Sequence, residues 1–105
     1  MTTAGVDYST KAVHAAIVDG KQLLFAKRYD LGANRLDTMA QLVEALASRG
    51  IATVYLEQPF MIPDRVDKVT GKTIRRSTNV TLKLHAVATE VATLLQLRGL
   101  KVSYV

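Results

Sequence analysis

Residues 51–61, IATVYLEQPFM, join a short apolar strand to a run of chemically distinct side chains. Its apolar positions are Ile51, Val54 and Leu56. Glu57 follows at the end of this strand, and Pro59 then interrupts the extended run. A carboxylate at a strand end lies at the edge of a sheet, where loops form clefts and carry function. The stretch predicts a functional site if a second carboxylate lies nearby.

The composition indicates one globular domain with a basic surface. The 105 residues are 49% apolar, which is enough for a core. The absence of cysteine excludes disulfides, thiolate metal sites and cysteine nucleophiles. Because the sequence shows neither a leader peptide nor a membrane-spanning run, we expect a cytoplasmic protein. The net charge of +5 favours a polyanionic partner, most simply nucleic acid.

The first third of the chain predicts an antiparallel meander of three strands. These strands cover Thr2 to Ser9, Ala12 to Val18 and Lys21 to Tyr29. Asp19-Gly20 between the second and third strands predicts a tight hairpin in which both turn residues have positive φ. Asp7 lies within the first strand, which we interpret as buried. A lone buried carboxylate is costly unless it is paired, so Asp7 is a candidate functional residue.

Two helices with 3.6-residue spacing follow the meander. The apolar stripe of the first is Leu36, Met39, Val43, Leu46 and Ala47. We expect Asn34 to cap its start, with Asp37 in the first turn, and Gly50 to end it. The second helix is predicted from Val80 to Arg98, and its stripe is Val80, Leu84, Val87, Val91 and Leu95. Thr78 or Asn79 is the predicted cap at its start, and Gly99 its end.

The resulting order is β-β-β-α-β-α-β, which is an α/β fold with a mixed five-stranded sheet. The segment helix-Arg-Gly-strand occurs twice, at residues 48–51 and 97–100. Helix-then-strand repeats favour parallel pairing of the later strands, which places the first strand beside the fourth. A final strand is predicted from Leu100 to Val105. Because a bare apolar strand ends the sequence, we expect further residues beyond Val105 in the natural protein.

This strand order brings Asp7 and Glu57 to the same end of the sheet. Two neighbouring carboxylates repel each other unless a cation lies between them, and Mg²⁺ or Mn²⁺ prefers such oxygen ligands. Metal ions held in pairs by carboxylates promote phosphodiester hydrolysis. The acid pair therefore indicates a divalent-metal site.

Three segments resemble the RuvC-type Holliday junction resolvases of the RNase H-like superfamily, with the phage-borne branch as the closest match. They are AGVDYS at 4–9, YLEQPFM at 55–61 and TLKLHA at 81–86. The resemblance implies an RNase H-like fold for a single domain of residues 1–105. It also implies a homodimeric, Mg²⁺-dependent endonuclease that nicks four-way DNA junctions by two-metal hydrolysis.

By resemblance, Asp7 and Glu57 match the first two metal-binding acids of the family, and both are the predicted catalytic residues. Phe60 matches an aromatic residue that contacts bases near the crossover, and the helix from Val80 matches one used in dimer contacts. The family completes its metal site with two acids on a later helix, before which this sequence ends. Asp64, Asp67 and Glu90 are not obvious substitutes. From this chain alone we therefore expect weak metal binding and impaired activity.

Residues 62–77 form a basic segment that is longer than the family's usual connection. Its cationic residues are Arg65, Lys68, Lys72, Arg75 and Arg76. Thr70-Gly71 predicts a small hairpin with weak strands around it. We interpret the segment as an arm that contacts DNA phosphates, and the alternative is a solvated loop. Lys83 on the second helix is a further candidate phosphate contact, although lysines on helices commonly just face solvent.

Other functions stay open at this point. The first alternative is a catalytically silent module of the same fold that binds DNA junctions or dimerises. Half of an actin-like or sugar-kinase ATPase shares the strand order and the first-strand Asp, but the glycine turn of those proteins is replaced here by Tyr8-Ser9-Thr10. A ribosomal-RNA-processing nuclease of the same superfamily is a third possibility. His14 and His85 lack metal-ligand spacing with a neighbouring acid, and we predict structural or surface roles for both.

Overall fold

The computed structural model describes residues 2–57, 65–66, 68–71, 73–74 and 78–105. Its elements, in chain order, are β1 (Thr2–Tyr8), β2 (Ala12–Asp19), β3 (Gln22–Asp30), α1 (Arg35–Ser48), β4 (Thr53–Leu56), β5 (Arg65–Val66), β6 (Thr73–Ile74), α2 (Thr78–Leu97) and β7 (Lys101–Tyr104). Five strands form one sheet in the order β3-β2-β1-β4-β7. β1, β2 and β3 pair antiparallel, whereas β4 pairs parallel with both β1 and β7. The predicted mixed sheet, with its first strand beside its fourth, is confirmed.

The hairpin between β2 and β3 forms, but its turn differs from the prediction. Asp19 pairs with Gln22, so the two central residues are Gly20 and Lys21. Gly20 has a φ of 61°, and every other described residue with positive φ is also a glycine. A two-residue turn with positive φ only at its first position needs glycine there alone, as in type II′. The predicted positive φ at Asp19 is therefore wrong.

The sheet buries one face under both helices. Val6, Val54 and Leu56 belong to a core cluster that also contains buried residues of α1 and α2, such as Leu42 and Val91. Because successive strand residues point to opposite faces, the residues after Val6 and Leu56 lie on the other face.

This alternation corrects the interpretation of Asp7 as buried. Asp7 is exposed, since it follows Val6 in β1 and lies on the face opposite the helices. Asp7 therefore pays no cost of burial, and its strand position alone does not indicate a function.

Both helices end in the same way, as the repeated Arg-Gly segment predicts. After α1, Gly50 N–H donates to Ala47 O at 3.1 Å and Ile51 N–H donates to Leu46 O at 3.3 Å. The equivalent bonds after α2 join Gly99 to Gln96 and Leu100 to Leu95. This is the Schellman pattern, in which a glycine with positive φ reverses the chain and its follower packs back onto the helix. The pattern directs each helix into its strand.

The helix starts differ in detail from the predictions. Asn34 occupies the cap position of α1, but its side chain makes no capping hydrogen bond. Leu36 is 55% exposed, and Leu42 takes its place among the buried residues of α1. α2 already begins at Thr78, so Thr78 and Asn79 lie inside the helix instead of capping it.

Ion pairs connect α1 with α2 and with Arg98, the residue directly after α2. The Arg35 guanidinium contacts Glu90 at 2.7 Å, and that of Arg98 contacts Glu44 at 2.9 Å.

A small hairpin precedes α2. β5 and β6 pair antiparallel, which confirms the predicted hairpin. Among the described residues, no helix is long and apolar enough to cross a membrane.

Candidate active site

The two predicted acids lie side by side at one end of the sheet. The last pairs between β1 and β4 join Gly5 to Tyr55 and Val6 to Leu56. Continuing this register by one residue places Asp7 level with Glu57. Adjacent strands are about 4.8 Å apart, so the two carboxylates emerge from neighbouring main chains. Both residues are exposed, and both line the same cleft.

This cleft has a volume of about 530 Å³ and lies on the sheet face away from the helices. Its lining residues are Gly5, Val6, Asp7, His14, Ala15, Ala16, Tyr55, Glu57 and Val105. Gly5 and Ala16 are paired across β1 and β2. Because Gly5 has no side chain and Ala16 has only a methyl group, the floor of the cleft stays low. Tyr55 and the acid pair stand beside this floor. The arrangement leaves room for a substrate group next to the two carboxylates.

His14 lies in this cleft, which the sequence analysis did not foresee. It is the register partner of Asp7 on the antiparallel strand β2 and is exposed. Sequence spacing alone did not indicate this neighbour, and the structural or surface role of His14 stays a prediction. The short link between β1 and β2 was the available signal, because it pairs Tyr8 with Val13 and thereby fixes Asp7 opposite His14. His85 is half-buried on α2 and stays outside the cleft.

Tyr8 connects the two acid-bearing segments. Its hydroxyl donates a hydrogen bond to the main-chain oxygen of Glu57 at 2.9 Å. Burial raises the pKa of this phenol, and the nearby carboxylates of Glu57 and Asp7 raise it further. A raised pKa keeps the hydroxyl protonated, which preserves its role as a donor. The sequence does not indicate this contact, because it depends on β4 lying beside β1.

The turn after Tyr8 is closed by Ser9. The Ser9 hydroxyl oxygen accepts hydrogen bonds from the main-chain N–H groups of Lys11 and Ala12, at 3.2 and 3.1 Å. Its main-chain N–H also donates to Ala12 O. The hydroxyl also donates to Ala12 O at 3.2 Å, so Ser9 has a structural role.

The acid pair suits Mg²⁺ better than a metal that requires a closed protein cage. Within residues 2–57, 65–66, 68–71, 73–74 and 78–105, no three histidine or acidic side chains group closely enough to hold a metal ion. Mg²⁺ commonly takes only one or two protein carboxylates and fills its remaining positions with water and substrate phosphate oxygens. Two exposed carboxylates beside an open cleft fit that coordination. Glu90, by contrast, is already paired with Arg35.

Most of the predicted DNA contacts lie in or near the segment before α2. Lys68 and Lys83 are exposed, and Arg65 belongs to β5. Phe60, Lys72, Arg75 and Arg76 lie outside the described residues. The structure therefore brings Asp7 and Glu57 together, while the contacts of the basic segment stay predictions.

Two solved structures share this architecture along the whole chain. One is RuvC from Thermus thermophilus in complex with a Holliday junction substrate, with a TM-score of 0.75 and 15% sequence identity. The other is a second Thermus thermophilus RuvC structure, with a TM-score of 0.70 and 17% identity. The chain has the RuvC fold. This fold, with its mixed five-stranded sheet and two helices, is RNase H-like, as predicted.

The match to the RuvC fold covers all of this chain but only 64% and 63% of the two RuvC chains. No protein-family model and no curated protein matches the sequence. At this level of identity the likeness establishes the fold, and the chemistry rests on the residues that the RuvC fold brings together here.

Proposed function

We propose that this chain is a structure-selective DNA endonuclease domain of the junction-resolvase type, with Asp7 and Glu57 as its catalytic, metal-binding acids. The observation that supports this proposal is their side-by-side position at the edge of an open cleft. One of the structures with the same fold is a RuvC bound to a Holliday junction. The positive net charge suits a DNA ligand.

In this proposal, Asp7 and Glu57 hold Mg²⁺ or Mn²⁺ between them. Bound divalent metal would supply activation of water and neutralisation of the charge that develops on a phosphodiester. The two carboxylates concentrate negative charge where a cation must bind, and the adjacent ends of β1 and β4 bring them close together. The small residues Gly5 and Ala16 leave space on the cleft floor for the DNA backbone.

The basic segment completes the proposed DNA interface. Its cationic side chains, Arg65, Lys68, Lys72, Arg75 and Arg76, would contact phosphates beside the cleft, with Lys83 on α2 as a further contact. Such contacts hold the duplex in register without reading its sequence. Phe60 would stack against bases near the crossover. A homodimer would supply two acid pairs related by symmetry, as the nicking of two opposite strands requires.

A second candidate is a catalytically silent module that binds junctions with the same fold. The observation in its favour is that the described residues offer two carboxylates to a metal and no third ligand grouped with them. The two candidates share the DNA contacts and differ only in hydrolysis. An assay that measures binding and cleavage on the same substrate separates them.

The experiment uses a labelled four-way DNA junction and linear duplex of the same sequence, with Mg²⁺ present or chelated. We expect Mg²⁺-dependent nicking of the junction by the parent chain. Asp7→Asn and Glu57→Gln should abolish nicking and leave junction binding within about twofold. Asp37→Asn, which neutralises an acid on α1 outside the cleft, is the matched control and should keep both activities.

The outcomes decide between the candidates. Junction binding without nicking by the parent chain would favour the silent module. Equal loss of binding and nicking in Asp7→Asn would contradict a metal-site role for that residue. Preferential cleavage of structured RNA in a parallel assay would instead indicate an RNA-processing nuclease. Clear ATP binding by the chain would favour the ATPase interpretation.

A further inference from the structure

The hydrogen bond from Tyr8 to Glu57 joins residues that are 49 positions apart in the chain. It lies beyond the last ladder pair of β1 and β4, which joins Val6 to Leu56. On the other side of β4, Val105 N–H donates to Leu56 O at 3.1 Å. The main-chain pairing of β1 with β4 ends at Leu56. The hydrogen bond from the Tyr8 hydroxyl connects the two segments one residue further along, at Glu57.

Tyr8 makes this connection without occupying the cleft. Asp7 and Tyr8 are consecutive residues of one strand, so their side chains leave the main chain on opposite faces of the sheet. The Tyr8 ring is partly buried and packs against the core, whereas Asp7 is exposed in the cleft. A ring held by the core has few alternative orientations, and its hydroxyl is correspondingly fixed. The same two-residue unit thus supplies one acid and anchors the other.

We propose that Tyr8 is a positioning residue that fixes the main chain of Glu57 relative to Asp7 and thereby sets the affinity of the acid pair for a divalent cation. This inference rests on the metal site of the proposed function and adds a residue to it. Without the hydroxyl, Glu57 has more conformations available and must give them up on binding the cation. That loss of preorganisation weakens cation binding and leaves the fold intact.

The test compares Mn²⁺ binding by Tyr8→Phe and the parent chain in NMR spectra. Paramagnetic broadening of the main-chain amide signals near residues 7 and 57 measures binding without requiring cleavage. Loss of one neutral hydrogen bond corresponds to a half-saturating Mn²⁺ concentration roughly three- to tenfold higher in the variant. Tyr29→Phe is the matched control, since Tyr29 lies on β3 outside the cleft. It should reproduce the parent titration.

Further measurements separate the possible failures. Asp7→Asn should abolish the broadening. Undiminished broadening in that variant would contradict the proposed metal site itself. If Asp7→Asn behaves as expected while Tyr8→Phe titrates like the parent, only the role of Tyr8 is overturned. In the parent chain the Tyr8 ring protons next to the hydroxyl should show a nuclear Overhauser contact to Glu57. Absence of that contact would overturn the inference even if Tyr8→Phe failed to fold.

Discussion

Removing one charge of the acid pair should stabilise the metal-free protein. Asp7 and Glu57 each lie one residue beyond the last pair of the parallel strands β1 and β4, which implies that their charges are roughly 5 Å apart. Because both side chains are exposed, an effective dielectric constant near that of water applies, and the repulsion is about 0.8 kcal/mol. Asp7→Asn should therefore raise the free energy of unfolding by about 0.5–1 kcal/mol, or the melting temperature by roughly 2–5 °C.

Mg²⁺ should reverse this order. A cation that binds only the folded state stabilises it by about 1.4 kcal/mol at ten times its dissociation constant. The parent chain keeps both carboxylates and should gain this stabilisation, whereas Asp7→Asn should gain little. The two curves of stability against Mg²⁺ concentration are therefore expected to cross.

The assay is urea unfolding followed by circular dichroism at neutral pH. It is run first with EDTA at low ionic strength, where screening is weak, and then along a series of Mg²⁺ concentrations at constant ionic strength. Asp37→Asn is the control, and it should be slightly less stable than the parent because it loses an acid from the first turn of α1. Its gain with Mg²⁺ should equal that of the parent. Destabilisation of Asp7→Asn in EDTA would contradict the repulsion between the two carboxylates. An undiminished gain in stability with Mg²⁺ would contradict cation binding by Asp7.

Three further predictions concern the core, a helix end and the basic segment. Leu56→Ala removes a 0% exposed side chain next to Glu57 and should cost about 2–5 kcal/mol in urea unfolding, whereas a loss below 1 kcal/mol would contradict the packing of β4. Gly50→Ala places a side chain at a φ of 75° and should lower stability by about 1 kcal/mol, with an unchanged melting temperature as the contrary result. Replacing Arg75 and Arg76 by glutamine should weaken junction binding in all sequences and reduce the slope of log K against log salt by about 2, measured by fluorescence anisotropy. Unchanged binding would make the segment a solvated loop.

Most of the architecture was predictable because it depends on local signals. The change from period 2 to period 3.6 after residue 30 separates the meander from α1, and the helix-Arg-Gly-strand repeat marks both helix ends. Gly50 and Gly99 satisfy a main-chain conformation that other residues adopt at a cost, so their positions are informative in sequence. The parallel placement of β4 beside β1 then follows from the general preference for right-handed crossovers.

The sequence was less informative about which face of the sheet is covered. An apolar strand such as β1 is consistent with burial on one face or on both, and the residues of β1 do not distinguish the two cases. In the structure both helices pack on the face that carries Val6, so Asp7 lies on the uncovered face. The incorrect prediction that Asp7 is buried did not affect its pairing with Glu57, because pairing depends on strand order and register.

Contacts that depend on register were the hardest to foresee. His14 becomes the neighbour of Asp7 only through the pairing of β1 with β2, and Tyr8 reaches Glu57 only because β4 lies beside β1. The short link between β1 and β2 is a signal for the first relation, whereas the second has no signature in sequence spacing. The resemblance to resolvases assigned roles to Asp7 and Glu57 but none to Tyr8 or His14.

The position of the acid pair is set by the core on the opposite face of the sheet. Each acid directly follows a buried residue, Asp7 after Val6 and Glu57 after Leu56. Burying a side chain of that size contributes about 1.5–3 kcal/mol, which exceeds the repulsion of about 0.8 kcal/mol between the carboxylates. A slip of either strand by one residue would turn its acid towards the helices and expose its apolar residues. The packing that holds Val6 and Leu56 under the helices therefore also holds two like charges together in the cleft, where a cation relieves their repulsion.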